Sequence, residues 1–117
     1  ELLDGTRISK WNHEDSTETV LLDGREYACV HNNGSKANPC LAADLLGDWR
    51  EELLLRTQDS KELRLFTTTI PTPIRLRTLM HDPIYRLSVA WQNVAYNQLT
   101  QPGFYLGAGM DSKTKNP

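Results

Sequence analysis

The sequence has few cysteines, few histidines and almost no net charge, and each shortage excludes a class of protein. Two cysteines, Cys29 and Cys40, cannot form the network of bridges that stabilises many small secreted domains, so two half-buried thiols are the expectation. Three histidines without a Cys-x-x-Cys spacing do not indicate a structural zinc site. A formal net charge of −2 argues against a nucleic-acid partner and against binding to a membrane surface.

Long apolar runs are also missing. No stretch approaches the roughly 20 apolar residues that a helix needs to span a bilayer. The 117 residues, of which 38% are hydrophobic, are enough for one small core. Because the sequence begins with Glu1 and not with Met, we expect a trimmed or partial polypeptide, and the missing signal peptide then says nothing about its destination.

Short segments with alternating apolar residues, separated by polar turns, make up most of the sequence. Asp4-Gly5 between apolar residues predicts a hairpin. About eight strands are expected, among them segments 7–11, 19–22, 27–30, 51–57, 63–69, 74–79 and 84–91. A spacing of roughly 8 to 12 residues between such strands indicates an all-β sandwich, barrel or propeller.

The segment His31–Pro39 consists almost entirely of polar and turn-forming residues, which predicts a surface loop. At its centre, Gly34 allows a tight turn, while Asn33 and Ser35 offer donors and acceptors suited to sugar hydroxyls. Lys36 could pair with a carboxylate, or act as a base if its pKa were strongly lowered. From the residues alone, a solvated loop lysine is the simpler interpretation.

Two further segments suggest a cation. Asp44 and Asp48 flank Gly47 with a spacing similar to that of a calcium loop, although Leu46 stands where a middle ligand is expected. The alternative is that both carboxylates cap the turn. Residues 92–98 are a run of amides around Tyr96, and buried amides need hydrogen-bond partners such as backbone, a cation or sugar hydroxyls.

Three long strings resemble a known family: ADLLGDWREELLLRTQDSKELRLFTTT, LMHDPIYRLSVAWQNVAYNQ and PGFYLGAGM. They are similar to the C-terminal portion of the bacterial rhamnogalacturonan lyases of polysaccharide lyase family 11, and the likeness covers essentially the whole chain. The resemblance implies a secreted or periplasmic enzyme built as an eight-bladed β-propeller with bound calcium. It also implies a pectic substrate, rhamnogalacturonan I, cleaved at the rhamnose–galacturonate bond by β-elimination.

The resemblance implies a domain organisation. We expect antiparallel strands forming about two blades of the propeller, with residues 1–38 in one blade portion, 39–106 in a second and 107–117 in a tail. Two blades cannot close a propeller. The remaining blades would come from the parent chain or from other copies, and the isolated chain should be inactive.

The resemblance also assigns roles to residues of the loop and the amide run. The family motif Asn-Gly-Thr-Lys corresponds to residues 33–36, with Ser35 in place of Thr, and implies that Asn33, Gly34 and Ser35 contact the sugar. Lys36 and Tyr96 correspond to proposed catalytic groups. Which of two roles Lys36 has, base or partner of the substrate carboxylate, stays open.

For calcium, the resemblance points to the side chain of Asn93 and the backbone carbonyl of Ala95. A further calcium at Asp44 and Asp48 is the other candidate. Two alternatives to a lyase remain: a non-catalytic, carbohydrate-binding or calcium-stabilised β module, and a structural segment that closes another chain's propeller. Release of an unsaturated uronate distinguishes the lyase from both.

Overall fold

The structure of the chain is a computed structural model, and it describes residues 1–94 and 99–110. The strands within these residues are β1 (Leu2–Asp4), β2 (Arg7–Asn12), β3 (Thr17–Asp23), β4 (Cys29–Val30), β5 (Leu41–Ala43), β6 (Glu52–Thr57) and β7 (Leu63–Phe66). Three 3-10 helices span Gly24–Tyr27, Gly34–Lys36 and Leu79–His81, and one α-helix, α1, spans Pro83–Ala90. The prediction of antiparallel sheets is confirmed. No helix among the described residues has the length and apolar character to cross a bilayer.

The strands form two sheets. The first has the order β1-β2-β3, and Gly5 takes a left-handed φ of 60° in the tight turn between β1 and β2, which confirms the predicted hairpin. The second has the order β4-β6-β5, with β7 also paired to β6. Strand β4 pairs antiparallel with β6 in a register that places Cys29 opposite Thr57 and Val30 opposite Arg56.

The chain divides into two compact units, each formed from two stretches of sequence. Unit 1 contains Glu1–Cys40 and Leu54–Leu65, and unit 2 contains Leu41–Leu53 and Phe66–Pro117. Strand β6 therefore contributes residues to both. The predicted division into blade portions 1–38 and 39–106 with a tail at 107–117 stays a prediction.

Each unit has its own small core. In unit 1, Leu55 and Cys29 are fully buried, and Gly24 lies so close that an added Cβ would be 2.7 Å from Cδ1 of Leu55. In unit 2, Tyr85 is fully buried together with Leu53 and other apolar residues. Buried polar residues accompany these apolar side chains, among them Asp44 and Glu52 in unit 2, and such groups need hydrogen-bond partners.

The strand predicted at 84–91 is wrong, because this segment is the α-helix α1. Asp82 caps the helix by accepting a hydrogen bond from the backbone N–H of Ile84 at 3.0 Å, and Pro83 occupies the first turn. The apolar spacing that resembled strand alternation is helical, since Tyr85 and Ser88, three residues apart, share the buried face.

Two other strand predictions need correction. Residues 74–79 form no strand; instead the carbonyl of Ile74 accepts a hydrogen bond from the indole N–H of Trp49 at 3.2 Å, and the preceding prolines lack the donors of a ladder. Segment 27–30 is a strand only at Cys29–Val30, because a 3-10 helix ends at Tyr27 and Ala28 takes a left-handed φ of 56°.

Candidate functional site

The predicted loop at 31–39 is a closed turn in unit 1. Asn32 and Asn38 pair as an isolated antiparallel bridge, with backbone hydrogen bonds of 2.7 Å from Asn32 N to Asn38 O and 3.2 Å in the reverse direction. Between them, residues 34–36 form one turn of 3-10 helix. The bridge holds the two ends of the loop together, so the four residues at 33–36 are displayed as one exposed turn.

The backbone of this turn is unusual. Asn33, Gly34 and Ala37 have left-handed φ values of 61°, 54° and 52°. Asparagine and glycine tolerate this region, but alanine does not favour it, so the surrounding contacts must hold the conformation. An added Cβ on Gly34 would meet nothing within 4 Å, which means that the space over this backbone is open to a ligand.

Lys36 and Ser35 lie on the exposed side of the turn with Asn33. Backbone hydrogen bonds from Lys36 N to Asn33 O at 3.1 Å and from Ala37 N to Gly34 O at 3.0 Å fix the turn internally. The structure therefore brings the four predicted residues of the loop together. An amide, a hydroxyl, an ammonium and an open glycine backbone can jointly bind a polar, anionic sugar.

The base of the loop is held by residues that the sequence analysis missed. Arg56 on β6 donates from Nε to Oδ1 of Asn32 at 2.7 Å and from Nη2 to the carbonyl of His31 at 3.3 Å. Asn32 in turn donates from Nδ2 to Sγ of Cys40 at 3.3 Å. No sequence signal links positions 32 and 56, which are 24 residues apart, because only strand pairing brings them together.

Both cysteines are free thiols, as expected. Cys29 is buried, and burial raises the pKa of its thiol above the ordinary value. A buried thiol with a raised pKa is a poor nucleophile, so the chemistry of this site does not involve Cys29.

The carboxylate of Asp44 is buried in unit 2, with 1% of the residue exposed. Its Oδ2 accepts hydrogen bonds from Oγ1 of Thr78 at 2.7 Å and from the backbone N–H of Leu79 at 2.8 Å. Its Oδ1 has no hydrogen-bond partner among the described residues, although it is buried. A buried carboxylate oxygen without a donor is costly unless something else satisfies it.

Asp48 is in a different situation. Oδ2 accepts from Nη2 of Arg50 at 2.5 Å and from Nε at 3.1 Å, and Oδ1 accepts from the backbone N–H of the same arginine. These hydrogen bonds lower the pKa of Asp48 below the ordinary value. The guanidinium pairs with the Asp48 carboxylate, whereas Oδ1 of Asp44 has no donor among the described residues, so Asp44 is the better candidate for a calcium ligand; the predicted roles of both residues stay predictions.

Two further carboxylates surround the same region of unit 2. Glu52 accepts hydrogen bonds from the backbone N–H groups of Leu45 and Leu46 at 2.8 and 3.0 Å and from the hydroxyl of Thr67 at 3.1 Å. Glu51 accepts from the hydroxyl of Tyr85 at 2.7 Å. Within residues 1–94 and 99–110, however, no three His, Cys, Asp or Glu side chains are grouped to hold a metal ion.

Tyr85 connects this cluster through its hydroxyl, which also accepts a hydrogen bond from the backbone N–H of Asp44 at 2.8 Å. Burial raises the pKa of the phenol well above its ordinary value, and the hydrogen bond to the Glu51 carboxylate raises it further. Tyr85 is therefore a neutral, structural hydroxyl. No signal in the sequence marks Tyr85, because its partners Asp44 and Glu51 lie 41 and 34 positions away.

The raised pKa of Tyr85 predicts a loss of stability in alkaline solution. The unfolded chain releases this proton near pH 10 and the folded chain only at higher pH, so the contribution of Tyr85 to stability should be constant below about pH 10 and fall above it. Thermal unfolding of the protein, measured at pH values from about 8 to 11, should show this fall as a slope in a plot of stability against pH. In Tyr85→Phe the slope should become shallower, whereas Tyr105→Phe, which removes an exposed phenol, should keep it. An unchanged slope in Tyr85→Phe would contradict the prediction.

The calcium and catalytic residues predicted in the amide run are only partly described. Asn93 lies exposed in the turn that follows α1. Ala95 and Tyr96 lie outside the described residues, so their predicted roles as a calcium ligand and a catalytic group stay predictions.

Comparison with known proteins identifies the class of protein to which these units belong. The model of the C-terminal domain of rhamnogalacturonan lyase family 11 matches residues 1–116. The chain is 55% identical over 115 residues to the rhamnogalacturonan endolyase YesW of Bacillus subtilis, covering 98% of this chain and 18% of that protein. It is 48% identical to the exolyase YesX of the same organism, covering 96% of this chain and 19% of YesX.

Solved structures agree with the sequence matches. The crystal structure of YesW superposes with a TM-score of 0.91 at 54% identity, over 97% of this chain and 19% of YesW. A rhamnogalacturonan lyase of Bacillus licheniformis gives the same TM-score, identity and shares. The chain belongs to rhamnogalacturonan lyase family 11, as the resemblance predicted, and corresponds to its C-terminal domain. It spans less than a fifth of the length of these relatives.

Proposed function

We propose that this chain is the C-terminal portion of a rhamnogalacturonan lyase that cleaves the rhamnose–galacturonate bond of rhamnogalacturonan I by calcium-assisted β-elimination. The single observation that supports a role in the active site is the closed, exposed turn at 33–36. It holds Lys36 beside groups that can hydrogen-bond a sugar, at the positions where the family resemblance places substrate contacts. The relatives that cover this chain are rhamnogalacturonan lyases by name.

The reaction needs a base, an acid and a group that neutralises the uronate carboxylate. The base removes the C5 proton of galacturonate, the C5–H electrons form the C4–C5 double bond, and the C4–O bond breaks with its electrons leaving on the rhamnose oxygen. That oxygen takes a proton from an acid or from water. Asn33, Gly34 and Ser35 orient the sugar for this step.

Lys36 and Tyr96 are the groups that we propose to handle charge and protons. As an ammonium, Lys36 would stabilise the carboxylate as negative charge develops; as a neutral amine, it would remove the C5 proton. Tyr96 is then the partner that donates a proton to the departing rhamnose oxygen or removes the C5 proton. Lys36→Arg separates the two roles of the lysine, because a guanidinium can pair with a carboxylate but cannot act as a base.

We propose calcium ligands at the side chain of Asn93 and the carbonyl of Ala95, and a further cation contact at the free Oδ1 of Asp44. Bound calcium would supply a positive charge that makes the C5 proton more acidic. Asp44→Asn should lower the calcium content measured by metal analysis if this contact exists. Asp48→Asn is the matched control, since its carboxylate is paired with Arg50.

The exposed apolar surface supports the view that the chain is part of a larger propeller, of which it would form about two blades out of eight. On α1 and at its C-cap, the side chains of Ile84, Leu87 and Trp91 are 51%, 53% and 50% exposed and follow one another at helical spacing. Such a stripe normally packs against another element. We propose that the rest of the lyase polypeptide covers it, and that the lyase is secreted or periplasmic.

The proposal is tested by comparing this chain with the full-length lyase, meaning the polypeptide that we propose contains it. Full-length enzyme incubated with rhamnogalacturonan should release an unsaturated uronate, detected by its ultraviolet absorbance, and a chelator should lower the rate. The isolated chain should release none. Oligosaccharide binding without product in the full-length enzyme would indicate a non-catalytic module and contradict the proposal, as would full activity of the isolated chain.

A further inference from the structure

Arg56 uses its guanidinium to connect strand β6 with the base of the loop at 31–39. Besides its contacts with Asn32 and with the carbonyl of His31, it donates from Nη1 to Oγ of Ser60 at 3.1 Å. All three acceptors are neutral. His31 and Asn32 are the two residues that connect β4 to the turn at 33–36. Because Arg56 donates a hydrogen bond to each of them, its single side chain restrains this connection.

Four other arginines of the described residues form ion pairs, whereas Arg86, like Arg56, donates to backbone carbonyls. Arg7, Arg25, Arg50 and Arg64 each pair with a carboxylate within 3.3 Å. Arg56 forms no ion pair with any carboxylate in the described part of the chain, so its hydrogen bonds serve the loop and not charge neutralisation. A fork of several N–H donors in one plane is suited to holding acceptors in fixed positions.

Asn32 transmits this restraint to the turn. Its side chain is held from one direction by Arg56 and from another by the thiol of Cys40, while its backbone pairs with Asn38 on the far side of the loop. The next residue, Asn33, has a left-handed φ. Of the left-handed residues in this loop only Ala37 does not favour that region, and the backbone pairing of Asn32 with Asn38, the residue next to Ala37, holds the turn closed around it.

We propose that Arg56 is a positioning residue for the lyase reaction, acting through Asn32 to hold the turn at 33–36 where its side chains meet the sugar. The inference rests on the proposed function, since it assigns Arg56 to the same site. It adds a residue from strand β6 that contacts no substrate and reaches the reaction only through the loop. Removal of this restraint should lower the rate because small displacements of reacting groups are expensive, on the order of 10²-fold per ångström.

The test uses the full-length lyase with Arg56→Met, Arg56→Lys and Arg64→Met. Arg64 is the matched control, because it also lies in unit 1 and donates to a backbone carbonyl, that of Tyr27, without touching the loop. We expect Arg56→Met to lower kcat/KM by about 10- to 100-fold, and Arg56→Lys to lower it nearly as much, because lysine keeps the charge but not the fork. Arg64→Met should keep the wild-type rate.

A double-mutant cycle separates positioning from general damage. Ser35→Ala removes one proposed sugar contact from the positioned turn at a residue without a left-handed φ, and should leave a measurable rate. If Arg56 acts through the turn, Arg56→Met should cost several-fold less in the Ser35→Ala enzyme than in wild type. A merely structural role would give the same loss in both enzymes, and that result would overturn the proposal.

The outcomes also distinguish this inference from the proposed function. If Lys36→Met abolishes activity while Arg56→Met keeps the wild-type rate, the lyase site stands and the positioning role is wrong. If Lys36→Met keeps the wild-type rate, the site itself is wrong and the positioning role is overturned with it. Loss in both variants, with coupling between Arg56→Met and Ser35→Ala, supports both.

Discussion

Replacing Lys36 with methionine in the full-length lyase should lower kcat/KM on rhamnogalacturonan by about 10²- to 10⁴-fold, the range typical of a lost acid–base or charge-stabilising group. The side chain belongs to an exposed turn whose ends are closed by backbone pairing, so methionine should leave the fold intact. Initial rates of unsaturated product formation measure the effect. Lys61→Met, on another exposed turn of unit 1, is the control and should behave as wild type.

Lys36→Arg refines this prediction. If Lys36 pairs with the substrate carboxylate, arginine should retain a substantial part of the rate, because it keeps the positive charge. If Lys36 is the base, arginine should be as inactive as methionine, because a guanidinium does not lose its proton at accessible pH. A wild-type rate in Lys36→Met would show that the loop is not catalytic. Tyr96→Phe, assayed alongside, tests the second proposed group in the same way.

Among the substitutions considered, Glu52→Leu should give the largest loss of stability. It should lower the free energy of local unfolding of unit 2 by about 3 kcal/mol. The side chain is 1% exposed, and its carboxylate satisfies two backbone N–H groups and one hydroxyl. Leucine has a similar size but no acceptor, so the N–H of Leu46 and the hydroxyl of Thr67 would lose this partner, and the N–H of Leu45 would keep only the carbonyl of Ala43. Glu52→Gln keeps one oxygen that can accept from both N–H groups, and should cost only about 1 kcal/mol.

Amide hydrogen exchange of the full-length lyase can measure both Glu52 variants locally. The amides of Leu45 and Leu46 report the contact directly, because they donate to the carboxylate. Their protection should fall strongly in Glu52→Leu and slightly in Glu52→Gln. Equal protection in the two variants would mean that Glu52 contributes by its volume and not by its hydrogen bonds.

Structural features that depend only on residues close together in the chain could be predicted from the sequence. Asp4-Gly5 fixed the first hairpin, because a two-residue turn sets its own geometry. The polar run at 31–39 likewise indicated the loop. The helix at Pro83–Ala90 was missed, although Asp82-Pro83 is a helix-start signal, because the apolar residues were interpreted with a strand period.

Contacts between distant residues could not be predicted in this way. Arg56 meets Asn32 through the pairing of β4 with β6, and Tyr85 meets Asp44 across 41 positions. Nothing in the local composition marks either pair, because an arginine in a strand and a tyrosine in a helix are ordinary residues. The resemblance to the lyase family supplied the catalytic candidates, while the residues that hold the loop in place came only from the structure.

Strand β6 limits how this domain can change during evolution or engineering. Glu52 and Arg56 lie four positions apart in the strand, and successive side chains of a strand alternate, so the direction of each depends on the number of residues between them. One residue inserted or deleted between them would turn one of the two to the opposite side and remove either the acceptor for Leu45 and Leu46 or the link to Asn32. Length variation among functional variants should therefore concentrate in the connecting turns and spare residues 52–56.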